Sequence, residues 1–190
     1  MKNKSILRPF HVARISATVT RTVVPLLVVL SASAALHAQQ TEVAQSQDPH
    51  HAEMMKRGGQ EMGFSQELTT HHFRLYKNGG AIEVTANDSK DTASRDQIRM
   101  HLWHIARKFP AGNFQSPMYI HGTTPPGVPT MIALRGQIQY EYQETENGAW
   151  VRVTTASAQA RDAIHAFLLY QIVDHKTGDS PNISDEVKSK

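Results

Sequence analysis

Histidine is the residue type in this chain that could bind a metal ion or transfer protons, because there are eleven histidines and no cysteine. Two adjacent ones, His71 and His72, stand in the run TTHHF, and two more, His101 and His104, stand in HLWH. Imidazole is a common ligand of zinc, copper and nickel. Without cysteine, thiol nucleophiles and thiolate ligands are excluded. The chemistry open to this protein is therefore metal binding or acid–base chemistry through imidazoles.

The HLWH run gives the sharper metal signal. Residues three apart on a helix are about 60° apart around its axis, so His101 and His104 can both reach one ligand. His121 follows in an irregular segment, and His71 has the strand parity of Phe73, which points it inward. We predict a site for copper first, then nickel or zinc, with haem ligation as a variant, built from His101, His104, His121 and His71. The alternative is ordinary core or boundary histidines that hydrogen-bond to backbone carbonyls.

Other histidines have weaker signals. His175 falls on the core stripe of the last predicted helix, where it is either an inward ligand or a C-terminal cap favoured by the helix dipole. His165 lies on a flank of the same helix and is structural or solvated. An N-terminal stretch combines imidazoles and thioethers, the donors that copper handling uses without thiolates: His50, His51, Met54, Met55 and Met62. The alternative for that stretch is a low-complexity linker.

Strand geometry separates the two histidines of TTHHF. Neighbouring strand residues point to opposite faces, so His71 and His72 cannot easily grip one ion together. We predict that the outer face of the sheet carries His72, Arg74, Tyr76, Trp150 and Arg152. This face gives an alternative function without a metal, an interaction module that contacts a periplasmic partner protein or forms a homodimer.

An enzyme is a third interpretation, with His101 or His104 as a base beside Glu83 or Asp96. The sequence has no GxSxG, HExxH, phosphate-binding glycine loop or dinucleotide fingerprint. No nucleophile and no suitably spaced carboxylate pair support this interpretation, so a binding protein is favoured over an enzyme.

The N-terminus has the features of a secretory signal peptide over residues 1–38. Its basic residues come without any acid, and the apolar stretch VVPLLVVL is too short to span a bilayer as a helix. Small residues follow, with cleavage expected after Ala38 or a few residues earlier. The alternative is an uncleaved membrane anchor, and the lack of cysteine excludes a lipoprotein. We predict a periplasmic or secreted protein with no integral membrane association after cleavage.

Removal of that segment changes the charge argument. Five of the 20 basic residues leave and none of the 17 acidic ones does, so 15 basic and 17 acidic side chains remain, a formal net charge of −2. A basic surface for nucleic acid is therefore not expected.

An internal repeat organises the rest of the chain. Asn78–Ala86 (NGGAIEVTA) matches Asn147–Thr155 (NGAWVRVTT) at an offset of 69, and Arg95–Ile105 matches Arg161–Gln171 at an offset of 66. Each half is predicted to be a β-hairpin followed by a helix; the alternative is chance similarity. Neither unit can bury its apolar faces alone. We therefore predict an α+β two-layer sandwich, a four-stranded antiparallel sheet with two long helices on one face.

The predicted boundaries follow from this repeat. The chain divides into a signal peptide (1–38), a flexible leader with at most one helical turn (39–61), a single domain (62–180) and a frayed tail (181–190). Within the domain, the hairpin–helix units cover 69–109 and 137–175. The linker 110–136 contains an extended piece, SPMYIHG, and a short helix from Val128 to Arg135. Alternation points Ile82, Val84, Val151 and Val153 towards the helices, and Glu83, Thr85, Trp150 and Arg152 away from them.

The motifs resemble those of a family of small, uncharacterised secreted bacterial proteins. The shared pattern is MGF, TTHHF, GGAIEV, RDQIRMHLWHIARKF, IHGTTPPGVP and FLLYQIVDHKTGD, over roughly residues 50–180. Some members carry the label of a carbamoyltransferase. The chain is far too short for that enzyme and lacks its phosphate-binding loops, so the resemblance implies no activity and supplies no catalytic residues.

Overall fold

The computed structural model describes residues 48–185. The predicted signal peptide, the first part of the leader and the last five residues of the predicted tail lie outside the described range. The elements in chain order are α1 (Pro49–Met62), β1 (Thr69–Tyr76), β2 (Gly79–Ala86), α2 (Thr92–Lys108), α3 (Gln115–His121), α4 (Val128–Ala133), a 3₁₀ turn (Arg135–Gln137), β3 (Ile138–Thr145), β4 (Gly148–Thr155) and α5 (Ala158–Asp174).

The strands form one antiparallel sheet in the order β1-β2-β4-β3. Two-residue turns at Lys77–Asn78 and Glu146–Asn147 close the two hairpins, as the turn residues predict. The central pair β2–β4 places Ile82 opposite Val151, and these residues are 69 positions apart, the offset of the sequence repeat. An approximate two-fold axis therefore passes through this pair.

The two long helices cover one face of the sheet. Both are 17 residues long and begin at capping side chains: Asp91 accepts from the Ser94 amide at 3.0 Å, and Ser157 accepts from the Ala160 amide at 3.3 Å. α2 packs mainly on β4 and β3, whereas α5 packs mainly on β1 and β2, so each helix covers the other half's strands. This arrangement confirms the predicted two-layer α+β sandwich.

The core lies between the sheet and these helices. The predicted inward residues of β2 and β4, Ile82, Val84, Val151 and Val153, are all buried, together with Ile98 and Leu102 of α2 and Ile164 and Leu168 of α5. The predicted outward residues Glu83, Thr85, Trp150 and Arg152 are half-buried on the opposite face. Strand alternation therefore assigned both faces correctly.

The N-terminal part of the described chain corrects the predicted flexible leader. Residues 49–62 form a 14-residue helix, capped by Asp48, whose side chain accepts from the His50 amide, and ended by Gly63 at φ 81°. Met54, Gly58 and Met62 repeat at i, i+4 and i+8 and are buried, because α1 packs on α3. The domain therefore begins before residue 62.

Two further segments differ from expectation. SPMYIHG is not extended: it belongs to α3, which Gly122 ends at φ 67°. α4 begins at Val128 with Pro129 in its first turn, as predicted, but ends at Ala133 before a 3₁₀ turn.

The described part of the tail is also ordered against the sheet. The Ser184 amide donates to the Leu75 carbonyl at 2.9 Å, and the Asp179 carboxylate accepts from the Phe73 amide at 2.9 Å. The chain from Asp179 to Asp185 therefore lies along the outer edge of β1. This corrects the predicted fraying for residues 181–185.

Candidate functional site

A small cavity of about 50 Å³ lies between the sheet and the helices, at the end covered by α1 and α3. Most of its lining is apolar, from β1, β2, α2, α3 and α5. Four imidazoles interrupt this lining, with one amide, one hydroxyl and one thioether: His71, His101, His121, His175, Gln171, Ser116 and Met62. A cavity of this size has room for a water molecule or a single ion.

His175 is the centre of the imidazole cluster. Its ring stacks on that of His71, with centroids 5.6 Å apart and planes 13° apart. The ring of His121 meets it edge-on, with centroids 5.1 Å apart and planes at 89°. His101 stands at the border, with Phe64 packed edge-on against it at 5.9 Å. Three rings from a strand, a short helix and the end of α5 therefore meet in one place.

His121 is the most buried imidazole, with 2% of its surface exposed. Its Nδ1–H donates to the Asp174 carboxylate, and its Nε2 lies 2.9 Å from Oε1 of Gln171. Nε2 of Gln171 is buried and has no partner within the described residues. A half-turn of that amide would let it donate to the Nε2 lone pair of His121. Gln171 then lies in the direction of the Nε2 lone pair of His121.

Asp174 connects the cluster to α1. Its Oδ1 accepts from Nε2 of His50 at 2.9 Å, and its backbone carbonyl accepts from Nδ1 of His51 at 3.1 Å. Burial alone would raise the pKa of Asp174, but the hydrogen bonds from His121 and His50 outweigh burial and hold that pKa below its ordinary value. One carboxylate therefore orients His121 and ties the start of α1 to the end of α5.

Two further imidazoles have a defined free nitrogen. Nδ1–H of His175 donates to Oε1 of Gln66 at 3.1 Å, which leaves the lone pair of the neutral ring on Nε2. Nε2 of His71 is buried and has no hydrogen-bond partner within residues 48–185. Such an unpaired polar atom is costly unless a water or a ligand meets it.

Burial lowers the pKa values of three of these imidazoles, His71, His101 and His175. Burial, followed by the neighbouring His101 and His72, lowers the pKa of His71 to about 3. Burial with His104 and Lys108 lowers the pKa of His101 to about 4, and burial with His71 and His121 lowers that of His175 to about 3. Neutral imidazole is the form that binds metal ions.

The residues at the repeat-equivalent positions provide an internal comparison. By the repeat offsets, His71 corresponds to Tyr140 and His175 to Phe109. These two rings also pair across the same kind of strand–helix contact, with centroids 6.0 Å apart. The other polar lining residue of α5, Gln171, corresponds to the apolar Ile105. The fold therefore needs only aromatic and aliphatic packing at these positions, and His71, His175 and Gln171 depart from that packing.

The structure brings together three of the four predicted metal ligands. His71, His101 and His121 line the cavity, whereas His104 is exposed on α2 with its ring against Trp103, at 5.2 Å between centroids. His175, recognised in the sequence only as a possible inward residue, joins them. Within the described part of the chain, no three His, Asp or Glu side chains are placed to hold a metal ion together.

Sequence reasoning missed the residues that orient the imidazoles, Gln66, Gln171 and Asp174. Gln171 carried a usable signal, since the repeat places it where the first half has Ile105 on the core stripe. His165, considered structural or solvated, is buried, and its Nε2 lies 2.9 Å from the carbonyl oxygens of Tyr76 and Gly79.

The carboxylates considered for an enzyme lie elsewhere. Glu83 pairs with Arg74 at 3.1 Å on the outer face of the sheet, and Asp96 pairs with Arg95 at 2.8 Å on α2. The cavity is on the inner face, so Glu83 is separated from His101 by the sheet.

The predicted partner face forms an open groove of about 960 Å³ beside the tail. Arg74, Tyr76, Trp150 and Arg152 line it, and His72 lies at the sheet edge, where its Nδ1 donates to Asp179 at 2.8 Å. Tyr76 is 7% exposed, and the Arg152 guanidinium lies over its ring at 5.9 Å.

Comparison of the chain with protein-family models, with curated proteins and with solved structures found no match. None of the helices within residues 48–185 is long and apolar enough to cross a membrane. The functional argument therefore depends on the residues of the site.

Proposed function

We propose that this protein is a periplasmic ligand-binding protein that takes up one transition-metal ion, copper, nickel or zinc, in the histidine-lined cavity. The ligands are the imidazoles of His71, His121 and His175, with His101 as the next candidate. The observation that carries the proposal is the difference between two repeat-equivalent ring pairs: one half of the repeat pairs Tyr140 with Phe109, and the equivalent pair is His71 with His175.

The spacing of the rings suits shared coordination. A coordinating nitrogen lies about 2 Å from the metal, which puts the ring centroid about 3.2 Å from it, so two rings on one ion have centroids between about 4.5 and 6.4 Å apart. The two measured separations around His175 are 5.6 Å and 5.1 Å. Rotation of the rings about their side-chain torsions is needed to aim three nitrogens at one point.

The outer partners of the imidazoles are those that metal-binding histidines use. Ligating imidazoles usually donate their other N–H to a carboxylate or carbonyl group, which fixes the tautomer and raises the basicity of the ligand. His121 has such a bond to Asp174, and His175 has one to Gln66. With pKa values of about 3 for His71 and His175, these two imidazoles are neutral and available as ligands at pH 7.

The cavity favours an ion over haem. At about 50 Å³ it accommodates a single ion, whereas a porphyrin requires a far larger cleft. The signal-like N-terminus supports export, and an exported protein without cysteine must use imidazole or thioether donors.

The test is metal analysis of the protein purified from the periplasm without a histidine tag or chelator. We expect one equivalent of metal after reconstitution, and stabilisation of about 2.7 kcal/mol at a hundredfold excess over Kd, which raises Tm by several degrees. His175→Phe should abolish both effects, and His104→Ala, which changes an exposed residue outside the cavity, should abolish neither. Absence of stoichiometric metal together with an unmoved Tm for copper, nickel and zinc would refute the proposal.

The outer groove supports a second candidate function, the binding of a second copy of this chain. The face carries both charge signs, Arg74 and Arg152 beside Glu83 and Glu141, so it complements itself across a two-fold axis. Sedimentation at increasing concentration should then show a dimer that Trp150→Ala weakens and Trp103→Ala, on α2, does not. A monomer at every concentration would refute this candidate.

A further inference from the structure

The donor atoms around the cavity include a thioether that the imidazole argument does not use. Met62, the last residue of α1, lines the cavity and is 5% exposed. Thioether sulfur is a soft donor that selects copper in its monovalent state, whereas zinc and nickel prefer imidazole and harder donors. We propose that the ion taken by this cavity is Cu(I), held by Met62 and two of the imidazoles of His71, His121 and His175. This inference rests on the proposed function and narrows it to one ion.

The number of donors supports a monovalent ion. Structural zinc takes four ligands in a tetrahedron, and catalytic zinc takes three from the protein. No three His, Asp or Glu side chains of the described residues are placed to supply such a set. Cu(I) commonly has a coordination number of two or three. Two of the imidazoles that meet around His175, together with the Met62 sulfur, therefore supply enough donors for Cu(I).

The charge of the surroundings supports the same ion. The described residues that line the cavity include no carboxylate. The cost of transferring an ion from water into such an apolar place grows with the square of its charge, so a divalent ion costs about four times as much as a monovalent one. The carboxylate in contact with the cluster is that of Asp174, bonded to His121. Its single negative charge balances one positive charge.

The position of Met62 also separates it from the other buried methionines. Met54, about two turns earlier on α1, is fully buried in the core and is not part of the cavity lining. Met54→Leu is therefore a matched control for Met62→Leu. Both changes remove one thioether from the same helix, and a Met to Leu exchange in a core costs less than about 1.5 kcal/mol. Each variant should therefore fold.

The experiment is an anaerobic competition titration of Cu(I) against the chromophoric chelator bathocuproine disulfonate, with parallel titrations of Zn(II) and Ni(II). We expect one Cu(I) per chain, bound more tightly than either divalent ion. Met62→Leu should weaken Cu(I) binding at least about tenfold and leave any Zn(II) or Ni(II) affinity unchanged, as removal of a soft donor predicts. Met54→Leu should bind Cu(I) like the parent. X-ray absorption of the Cu(I) form should show a sulfur scatterer that Met62→Leu removes.

The outcomes separate this inference from the proposed function. If Cu(I) binds with no sulfur scatterer and with equal affinity in Met62→Leu, or if only divalent ions bind, the Cu(I) inference is overturned while the imidazole site stands. If the parent binds none of the three ions, both are overturned.

Discussion

His165 and Arg99 occupy equivalent positions of the two helices and make the same pair of contacts with the opposite hairpin. Nε2 of His165 lies 2.9 Å from the carbonyl oxygens of both Tyr76 and Gly79. Arg99 donates to the carbonyls of Thr145 and Gly148, at 2.6 Å and 3.2 Å. The carbonyls of the two sets are 69 residues apart, the offset of the strands. Each helix is therefore fastened to the turn of a hairpin by a side chain of its own.

Replacement of His165 by alanine should destabilise the domain by about 1–3 kcal/mol, because a buried donor to two carbonyl groups is lost. The measurement is urea unfolding at pH 7.5. His104→Ala, which removes an exposed imidazole from the other long helix, should change the free energy of unfolding by less than about 0.5 kcal/mol. Equal effects of the two substitutions would show that the contacts of His165 contribute nothing.

Two glycines at the centre of the sheet should tolerate no side chain. A Cβ on Gly79 would lie 2.0 Å from the Val153 carbonyl oxygen, and a Cβ on Gly148 would lie 2.0 Å from that of Val84. The strands β2 and β4 would have to separate, so we expect Gly148→Ala to cost about 2–4 kcal/mol in urea unfolding. Gly136→Ala is the control, since no atom lies within 4 Å of its added Cβ. Comparable stability of the two variants would contradict the close approach of these strands.

Asp174→Asn tests the carboxylate that joins α1, α3 and α5. The pKa of Asp174 is lowered, so its contribution to stability is present above the unfolded pKa near 3.9 and is lost as the pH falls through the folded value. We expect Asp174→Asn to lose about 1.5–3 kcal/mol at pH 7, the range for hydrogen bonds to a charged group, and the parent and variant to converge near pH 3.

Asp162→Asn is the control for this prediction. Asp162 forms an exposed pair with Arg161 on α5, and such surface pairs are worth less than about 1 kcal/mol. A loss at Asp174 no larger than that at Asp162, or one that persists unchanged at pH 3, would contradict the role of the carboxylate.

Much of the fold was predictable because its signals are local. Alternation and the turn residues at Asn78 and Asn147 define the hairpins, and the repeat implies that the two hairpins join in one sheet. α1 and α3 were missed because each contains residues that disfavour a helix, Gly58–Gly59 in α1 and Pro117 in α3. Their end signals, Asp48–Pro49, Gly63 and Gly122, were nevertheless present in the sequence.

The site was only partly predictable, because its membership depends on how the helices are rotated and packed. Strand parity correctly predicted that His71 points inward. On α2, the spacing of His101 and His104 suits a shared ligand, but burial of the stripe Ile98–Leu102–Ile105 leaves His104 exposed. The place of His175 in the cluster depends on α5 lying over β1, a contact between the two halves that no local pattern encodes.

His175→Phe introduces the residue found at the repeat-equivalent position, Phe109. It tests how much the histidine at this position lowers the free energy of unfolding. In the parent, the folded pKa of His175 is about 3, so below the unfolded value of 6.5 the unfolded chain binds a proton that the folded chain cannot. The free energy of unfolding should therefore fall by about 1.4 kcal/mol per pH unit for this residue between pH 6.5 and pH 3. Phenylalanine removes that contribution, so the variant should be as stable as the parent at pH 7.5 and more stable at pH 4.5.

Urea unfolding of both proteins at several pH values between 7.5 and 4.5 measures the difference. His104→Phe is the control, because it replaces an exposed imidazole outside the cavity and should leave the slope of the parent unchanged. The variant should at the same time lose the metal response of Tm. Parallel pH curves for His175→Phe and the parent would mean that His175 is protonated in the folded protein. The inference that the ring of His175 is neutral and available as a ligand would then be wrong.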